Sequence, residues 1–421
     1  MRWRSAAAPK RGELSYTAEV LFREEGVVQG KKFLRSIRLK NILSYGSEGA
    51  SLDLEPLNVL IGPNSAGKSN LIAAISLLAA APRDLLKPIR EGGGVAEWIW
   101  KGSGEQRSGE VEVVLQSLPS APALTYTLEI TGYQDRFRIG RERLAEAAVP
   151  ETVFFSTDGY NAVLPRQLAG AGWISDSAAL RPSLRQQQSV LSQVKEDLIY
   201  PQLTHVGEKL GQIRFFREWT FGRRSPLRQP QRVDLPDDFL LEDASNLALI
   251  INDLQKYAEI KKLLFEKLKL FHEDLEDLTT KIQGGTIQLF FHERGVERPV
   301  PAARLSDGAL RYLFLLAILC HPEPPPLICL EGPEVGLHPD LLPTVADLLV
   351  EAAQRTQLIV TTHSETLVSR LSEAPETVVV CEKDDMGTRL RRLEPATLQE
   401  WLERYALGEV WRMGELGGNR W

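Results

Sequence analysis

The chain has 421 residues, 43% of them hydrophobic and 25% charged, with a formal net charge of −6. That is enough apolar material for a large core in two or three structural units, and the acidic balance excludes a chain that coats nucleic acid over its whole surface. No apolar run approaches the roughly 18 residues of a membrane span and the start Met1-Arg2-Trp3-Arg4-Ser5-Ala6 has no signal-peptide core, so a cytoplasmic location with no membrane partner is expected.

Residues 1–30 are polar and weakly patterned, as in a flexible extension. The apolar strand Leu57-Asn58-Val59-Leu60-Ile61 then leads into Gly62-Pro63-Asn64-Ser65-Ala66-Gly67-Lys68-Ser69, and a helical pattern follows from Asn70. This is G-x-x-x-x-G-K-[ST] between a strand and a helix, the context in which the pattern is specific for a phosphate-binding loop. The whole stretch from Gly62 to Asn70 is expected to bind ATP. Backbone N–H groups and the helix N-terminus would cradle the phosphates, Lys68 would reach the β- and γ-phosphates, and the Ser69 hydroxyl would ligand Mg2+. Tyr45, upstream, fits either an adenine contact or an exposed turn.

Residues 111–115, 125–130 and 136–143 read as an antiparallel meander. Helical patterns are expected over 179–210 and 246–282, the second amphipathic through Leu247, Ile250, Ile251, Leu254 and Leu264. Between them, residues 211–233 interleave Arg214, Arg217, Arg223, Arg224, Arg228 and Arg232 with Phe215, Phe216, Trp219 and Phe221. Two readings stand side by side: a DNA- or RNA-binding loop of phosphate contacts and stacking rings, or a structural loop with inward aromatics whose arginines meet the acidic residues that follow.

Leu305-Ser306-Asp307-Gly308 then precedes an apolar helix, Leu327-Ile328-Cys329-Leu330-Glu331 reads as a buried strand, a second helix covers 341–354, and strand 357–361 ends at Thr362-His363-Ser364. Alternating strands and helices imply a parallel sheet with every motif at its ligand-binding edge. A Ser-x-Gly at a helix N-terminus is a good cap and also an anion site. The stretch after His363 has room for a helix, two strands and a final helix, too little for a nuclease domain. Asp384-Asp385 reads as a turn, Arg389, Arg391 and Arg392 as a solvated strand edge, and the aromatic, glycine-rich tail 411–421 as a docked segment. Cys320, Cys329 and Cys381 lie in apolar runs without zinc-ligand spacing and read as buried free thiols.

On these motifs and their order the chain resembles ATP-binding-cassette ATPases of the SMC, RecF and OLD branch. Ile37-Arg38-Leu39-Lys40-Asn41-Ile42 and the Gly62 loop look like the amino-terminal lobe and Walker A. Leu305-Ser306-Asp307-Gly308 looks like the signature motif, Leu327 to Glu331 the Walker B strand, and His363 the switch histidine. The resemblance implies an α/β P-loop NTPase fold: a split ABC-type head with a flanking antiparallel β-subdomain and a helical insertion. The corresponding divisions are 1–30 (extension), 31–175 (lobe I), 176–285 (insertion with the Arg and aromatic loop) and 286–421 (lobe II). It further implies ATP and Mg2+ as ligands, with Ser69 and Glu331 at the metal. ATP would be sandwiched between the loop of one protomer and Ser306 of its homodimer partner. A magnesium-contacting glutamine also belongs to the pattern, and Gln116 is one candidate.

One departure bears on mechanism. Where the family has an acidic pair after Walker B, this chain has Glu331-Gly332-Pro333-Glu334, so the catalytic positions expected are His363 and a displaced base, Glu334. Two functions are compatible with that. One is a slow ATPase, DNA-associated in repair or anti-phage defence, that works with a separately encoded nuclease or other effector. The other is a nucleotide-sensing scaffold with little hydrolysis.

Overall fold

The computed structural model describes residues 28, 30–102, 108–116, 121–134, 136–159, 161–168, 172–174, 184–217, 219, 222–223 and 225–418. Its centre is a six-stranded sheet in the order Arg214–Phe216, Leu327–Glu331, Gln357–Thr361, Leu57–Ile61, Val378–Asp384, Gly387–Arg392. All pairs are parallel except the last hairpin. The central strands read as unbroken apolar runs because both faces are covered, and strand alternation divides their side chains between two cores. Ile328, Leu330, Leu358 and Val360 face the helices Leu247–Leu254, Ala258–Phe271, Asp307–Leu319 and Leu342–Ala353. Leu327, Cys329, Ile359 and Cys381 face the helix Lys68–Ala80.

That helix has buried residues nearly all round, since its other side meets a second sheet. The second sheet is the expected antiparallel meander: seven strands, from Ala50–Asp53 and Leu34–Lys40 through Ser108–Leu115, Leu124–Tyr133 and Arg136–Glu146 to Val153–Thr157 and Ala162–Val163. Glu142 pins it to the segment beyond. Its fully buried carboxylate accepts from Tyr126 Oη (2.7 Å), Ser189 Oγ (2.5 Å) and the Val190 N–H (2.9 Å). Glutamine offers one oxygen where the carboxylate offers two, and would turn an NH2 toward a donor. Glu142→Gln is therefore expected to lower stability by about 1–3 kcal/mol, read as an earlier midpoint in urea.

The insertion is less helical than its sequence implies. The helical reading of 246–282 ends early, because Leu275–Gln283 and Thr286–Glu293 form a hairpin about Gly284-Gly285, joined by Gln231–Arg232 and Val300–Pro301. Period-two alternation and the Gly-Gly turn were signals for it. Over 179–210 the described helices are Val190–Gln193 and Pro201–Gly211, with 179–183 outside the described residues, as is nearly all of the 1–30 extension. Burial pushes the free thiols of Cys320 and Cys381 up to about 12. Among the described residues no helix is long and apolar enough to cross a membrane.

Residues 411–418 of the tail dock on their own domain, and 419–421 lie outside the described residues. Trp411 and Leu416 are buried, Arg391 Nη2 donates to the Leu416 carbonyl (2.6 Å), and the Gly418 N–H donates to Glu382 (2.9 Å). The expected solvated edge is corrected at Arg392, which is locked onto the carbonyls of Glu376 (2.6 Å) and Asp53 (2.7 Å) and the side chain of Asn58 (2.6 Å). Asp384 and Asp385 lie at the turn of the last hairpin, where Asp384 pairs with Arg389 at 2.7 Å.

Candidate nucleotide site

Parallel register brings the motifs to one edge. Glu331 pairs with Thr361 and Thr361 with Leu60, so the Walker B acid, the approach to His363 and the start of the Gly62 loop leave the sheet at one level. The helix after the loop begins at Lys68, and no side chain caps its N-terminus, which leaves first-turn N–H groups free for an anion. Lys68 Nζ donates to the carbonyls of Gly62 (2.7 Å) and Pro63 (2.9 Å), folding back over the loop, and burial lowers its pKa. Asn64, Ser65 and Ser69 are exposed at the loop's outer face, Asn70 is half-buried, and Ala66 is buried beneath.

The loop is braced from behind. Gly67 has φ 100, and a Cβ there would lie 2.3 Å from Thr388 Oγ1, so only glycine fits. Tyr45 is fully buried and donates its hydroxyl to the Gly67 carbonyl (3.0 Å). It is neither an adenine contact nor an exposed turn residue. Thr388 Oγ1 sits 3.0 Å from the Ala66 carbonyl and 2.7 Å from Ser44 Oγ. Gln116 is misplaced for a metal contact: its N–H pairs with Phe33, beside the Leu34 that bonds to Gln357, at the opposite end of the central sheet from His363.

Beyond Glu331 the backbone turns sharply. Gly332 has φ 57, its N–H donates to the Thr361 carbonyl (2.9 Å), and its carbonyl accepts from Arg311 Nη2 (3.1 Å). This turn returns Glu334 to the site. Glu334 Oε1 accepts the His363 backbone N–H at 2.8 Å, while its Oε2 is buried with no hydrogen-bond partner. The Glu334 carboxylate acts electrostatically on Lys68, His363 and Arg311 together. Burial, then the Lys68 ammonium, lowers the His363 pKa against the opposing pull of Glu334. Arg311 is buried over the Trp219 ring at 4.3 Å, and its desolvation brings it down to about 10.

The Arg and aromatic segment, legible only as a loop, supplies the edge strand beside Walker B. Phe216 is buried against Phe314, and Trp219 meets the same ring edge-to-face and donates Nε1–H to the Glu331 carbonyl at 2.5 Å. Arg217 Nε lies 3.5 Å from Glu331 Oε1 and its Nη2 donates to the Ile72 carbonyl at 2.8 Å. Arg214 bonds the carbonyls of Gly211 and Ile213, and Arg228 pairs with Asp307 at 2.5 Å. Of the six arginines offered to nucleic acid, these three are committed to the chain itself, Arg232 pairs with Asp234 at 2.5 Å, Arg223 is exposed, and Arg224 lies outside the described residues.

Ser306 caps the helix Asp307–Leu319, its Oγ accepting the Ala309 N–H at 3.1 Å. Ser306 and Asp307 are exposed, Leu305 and Gly308 half-buried, so the motif fronts solvent.

The central parallel sheet, the loop-capped helix behind it and the antiparallel flank define the ABC-type P-loop ATPase head. The solved structures agree on that fold. An SMC head bound to the C-terminal winged-helix domain of ScpA superposes with a TM-score of 0.56 at 13% identity, covering 88% of this chain and 100% of that one. An Smc head with an extended coiled coil, bound to the C-terminal domain of ScpA and derived from Pyrococcus furiosus, gives 0.52 at 13% identity, covering 88% and 98%. The model of the family described as "AAA domain, putative AbiEii toxin, Type IV TA system" matches residues 57–369, and the chain belongs to that family. No curated protein matches it.

Proposed function

We propose that this chain is an ATP-dependent dimerising ATPase, slow in turnover, whose closure on ATP acts on DNA together with a separately encoded effector. The observation that carries the reading is Glu334: a half-buried carboxylate with one oxygen bonded to the His363 N–H and the other buried without a hydrogen-bond partner, within electrostatic reach of Lys68 and His363. An unpaired buried carboxylate oxygen is costly unless something polar meets it, and an attacking water would.

Ser69 and Glu331 are the residues that would hold Mg2+. Among the described residues no group of three His, Cys, Asp or Glu could hold a metal, which suits an ion that keeps water and phosphate oxygens as its other ligands. When bound, Mg2+ offsets charge on the β- and γ-phosphates. Lys68 would exchange its two carbonyl partners for phosphate oxygens, Glu334 would accept the proton of the attacking water, and His363, held neutral, would hydrogen-bond the γ-phosphate. The exposed Ser306 would complete the pocket of a second protomer.

DNA association is supported by the exposed Arg223. A partner protein is supported by the ScpA domains seated on the matched heads. A scaffold with little hydrolysis is favoured by Gly332 alone.

The test is light scattering with and without ATP, an unhydrolysable analogue and duplex DNA. The mass is expected to double with either nucleotide. A chain that binds ATP and stays monomeric at every concentration sinks the dimer. DNA binding that falls with salt and is lost on neutralising Arg223 and Arg224 supports the DNA output, and its absence leaves the scaffold.

A further inference from the structure

Arg228 turns most of its guanidinium on the signature loop and the turn that leads into it. Its Nη1 donates to the carbonyls of Ala303 (2.9 Å) and Leu305 (2.6 Å), Nη2 to Asp307 Oδ1 (2.5 Å), and Nε to the Gly222 carbonyl (3.1 Å). The Gly222 N–H also donates to Asp307 Oδ1, at 3.1 Å. The side chain is only 12% exposed. Ser306 therefore sits between two carbonyls and a carboxylate that all answer to one planar fork. Eleven and nine residues earlier, Arg217 and Trp219 hold the side chain and the carbonyl of Glu331.

We infer that Arg217, Trp219 and Arg228 act as an internal bracket, and that Arg228 is a positioning residue that moulds the signature loop so that Ser306 can meet the nucleotide of a partner protomer. The inference rests on the dimer reading above and adds to it a residue and a direction of action. Arg228 serves the partner's site, while the other end of the bracket serves the chain's own Walker B acid. A planar five-donor fork is what several carbonyls and a carboxylate around one point require, and lysine, a single point donor, cannot reproduce it.

The experiment compares wild type, Arg228→Lys and Asp307→Asn, each verified as folded by its melting temperature. ATP-dependent dimerisation is followed by light scattering and ATP binding to the monomer by a fluorescent analogue. Arg228→Lys is expected to bind ATP within about threefold of wild type while dimerising at concentrations at least about tenfold higher, because a point donor loses part of the charged fork that shapes the partner-facing loop. Asp307→Asn keeps both carbonyl contacts and should move the same way by a smaller factor.

The decisive arm mixes Arg228→Lys with Lys68→Ala. The mixed dimer has one pocket with an intact phosphate loop from the first and an intact signature loop from the second, so ATP-dependent association should return in the mixture alone. A structural role confined to the mutated protomer would give no such rescue, and a mixture no better than its components overturns the inference. So does an Arg228→Lys protein that dimerises like wild type. If wild type itself binds ATP and never dimerises, the dimer reading fails first and the inference falls with it.

Discussion

Glu334→Gln is expected to lower kcat by about 10²–10⁴-fold while ATP affinity stays within about threefold, because general-base assistance contributes in that range and binding does not draw on it. Glutamine preserves the one bond that places the residue, since its amide oxygen can still accept the His363 N–H, now at 2.8 Å. What it removes is the free carboxylate oxygen beside it. Steady-state turnover and equilibrium ATP binding measured on one preparation separate the two effects. Unchanged turnover would remove Glu334 from the chemistry and leave the scaffold reading.

Gly332→Glu, which restores the family's acid, should not rescue that variant: at φ 57 a side chain is strained by about 1–2 kcal/mol, and its Cβ would press to 3.1 Å from Val335 Cγ2. The pH dependence has a definite sign. Burial and the Lys68 ammonium hold the His363 pKa below its ordinary value, so the imidazole is mostly neutral at pH 7 and the loss of turnover on acidification should set in at lower pH than an ordinary histidine would give. A loss that sets in at or above the ordinary histidine range would remove the neutral His363 from the mechanism.

Lys68→Ala should weaken ATP binding by on the order of 10²-fold or more and abolish measurable turnover and ATP-dependent dimerisation together. Two charge-assisted bonds to phosphate, at about 1.5–3 kcal/mol each, set the scale. The loss reaches the free protein as well, since Lys68 Nζ is the donor that gathers the Gly62 and Pro63 carbonyls. Direct binding of a fluorescent ATP analogue measures it. Near-normal affinity would mean that the anion is held by backbone N–H groups alone.

The order of the motifs made the site's skeleton legible before any coordinates. A strand, the Gly62 loop, the Glu331 strand and His363 can meet only at one edge of a parallel sheet, and they do, while the Ser306 cap fronts solvent. What escaped the sequence depended on partners remote in the chain. Tyr45 could not be assigned from its neighbours, because its role lies in the Gly67 carbonyl. The Arg and aromatic segment was ambiguous for a physical reason: a phenyl ring that packs on Phe314 and one that stacks on a base look alike in one dimension, as does an arginine aimed at Glu331 or at a phosphate. The position of Glu334 depends on the positive φ of Gly332, which folds the chain back and lets Glu334 bond the His363 N–H from two residues further on. The hairpin at Leu275–Gln283 is a different case: its alternation and Gly-Gly turn were in plain view and lost to an overextended helical pattern.

The strand order of the central sheet also governs how the molecule is made. Leu57–Ile61 is flanked by Gln357–Thr361 and Val378–Asp384, so on the ribosome it waits for about 300 residues, or about 15–60 s of synthesis, before either neighbour exists. During that wait a strand with every residue destined for burial has two open edges. Contacts of such long sequence separation close slowly and late, so the phosphate-binding loop matures only after the carboxyl-terminal lobe arrives, and nascent chains of this design depend on protection from aggregation until then.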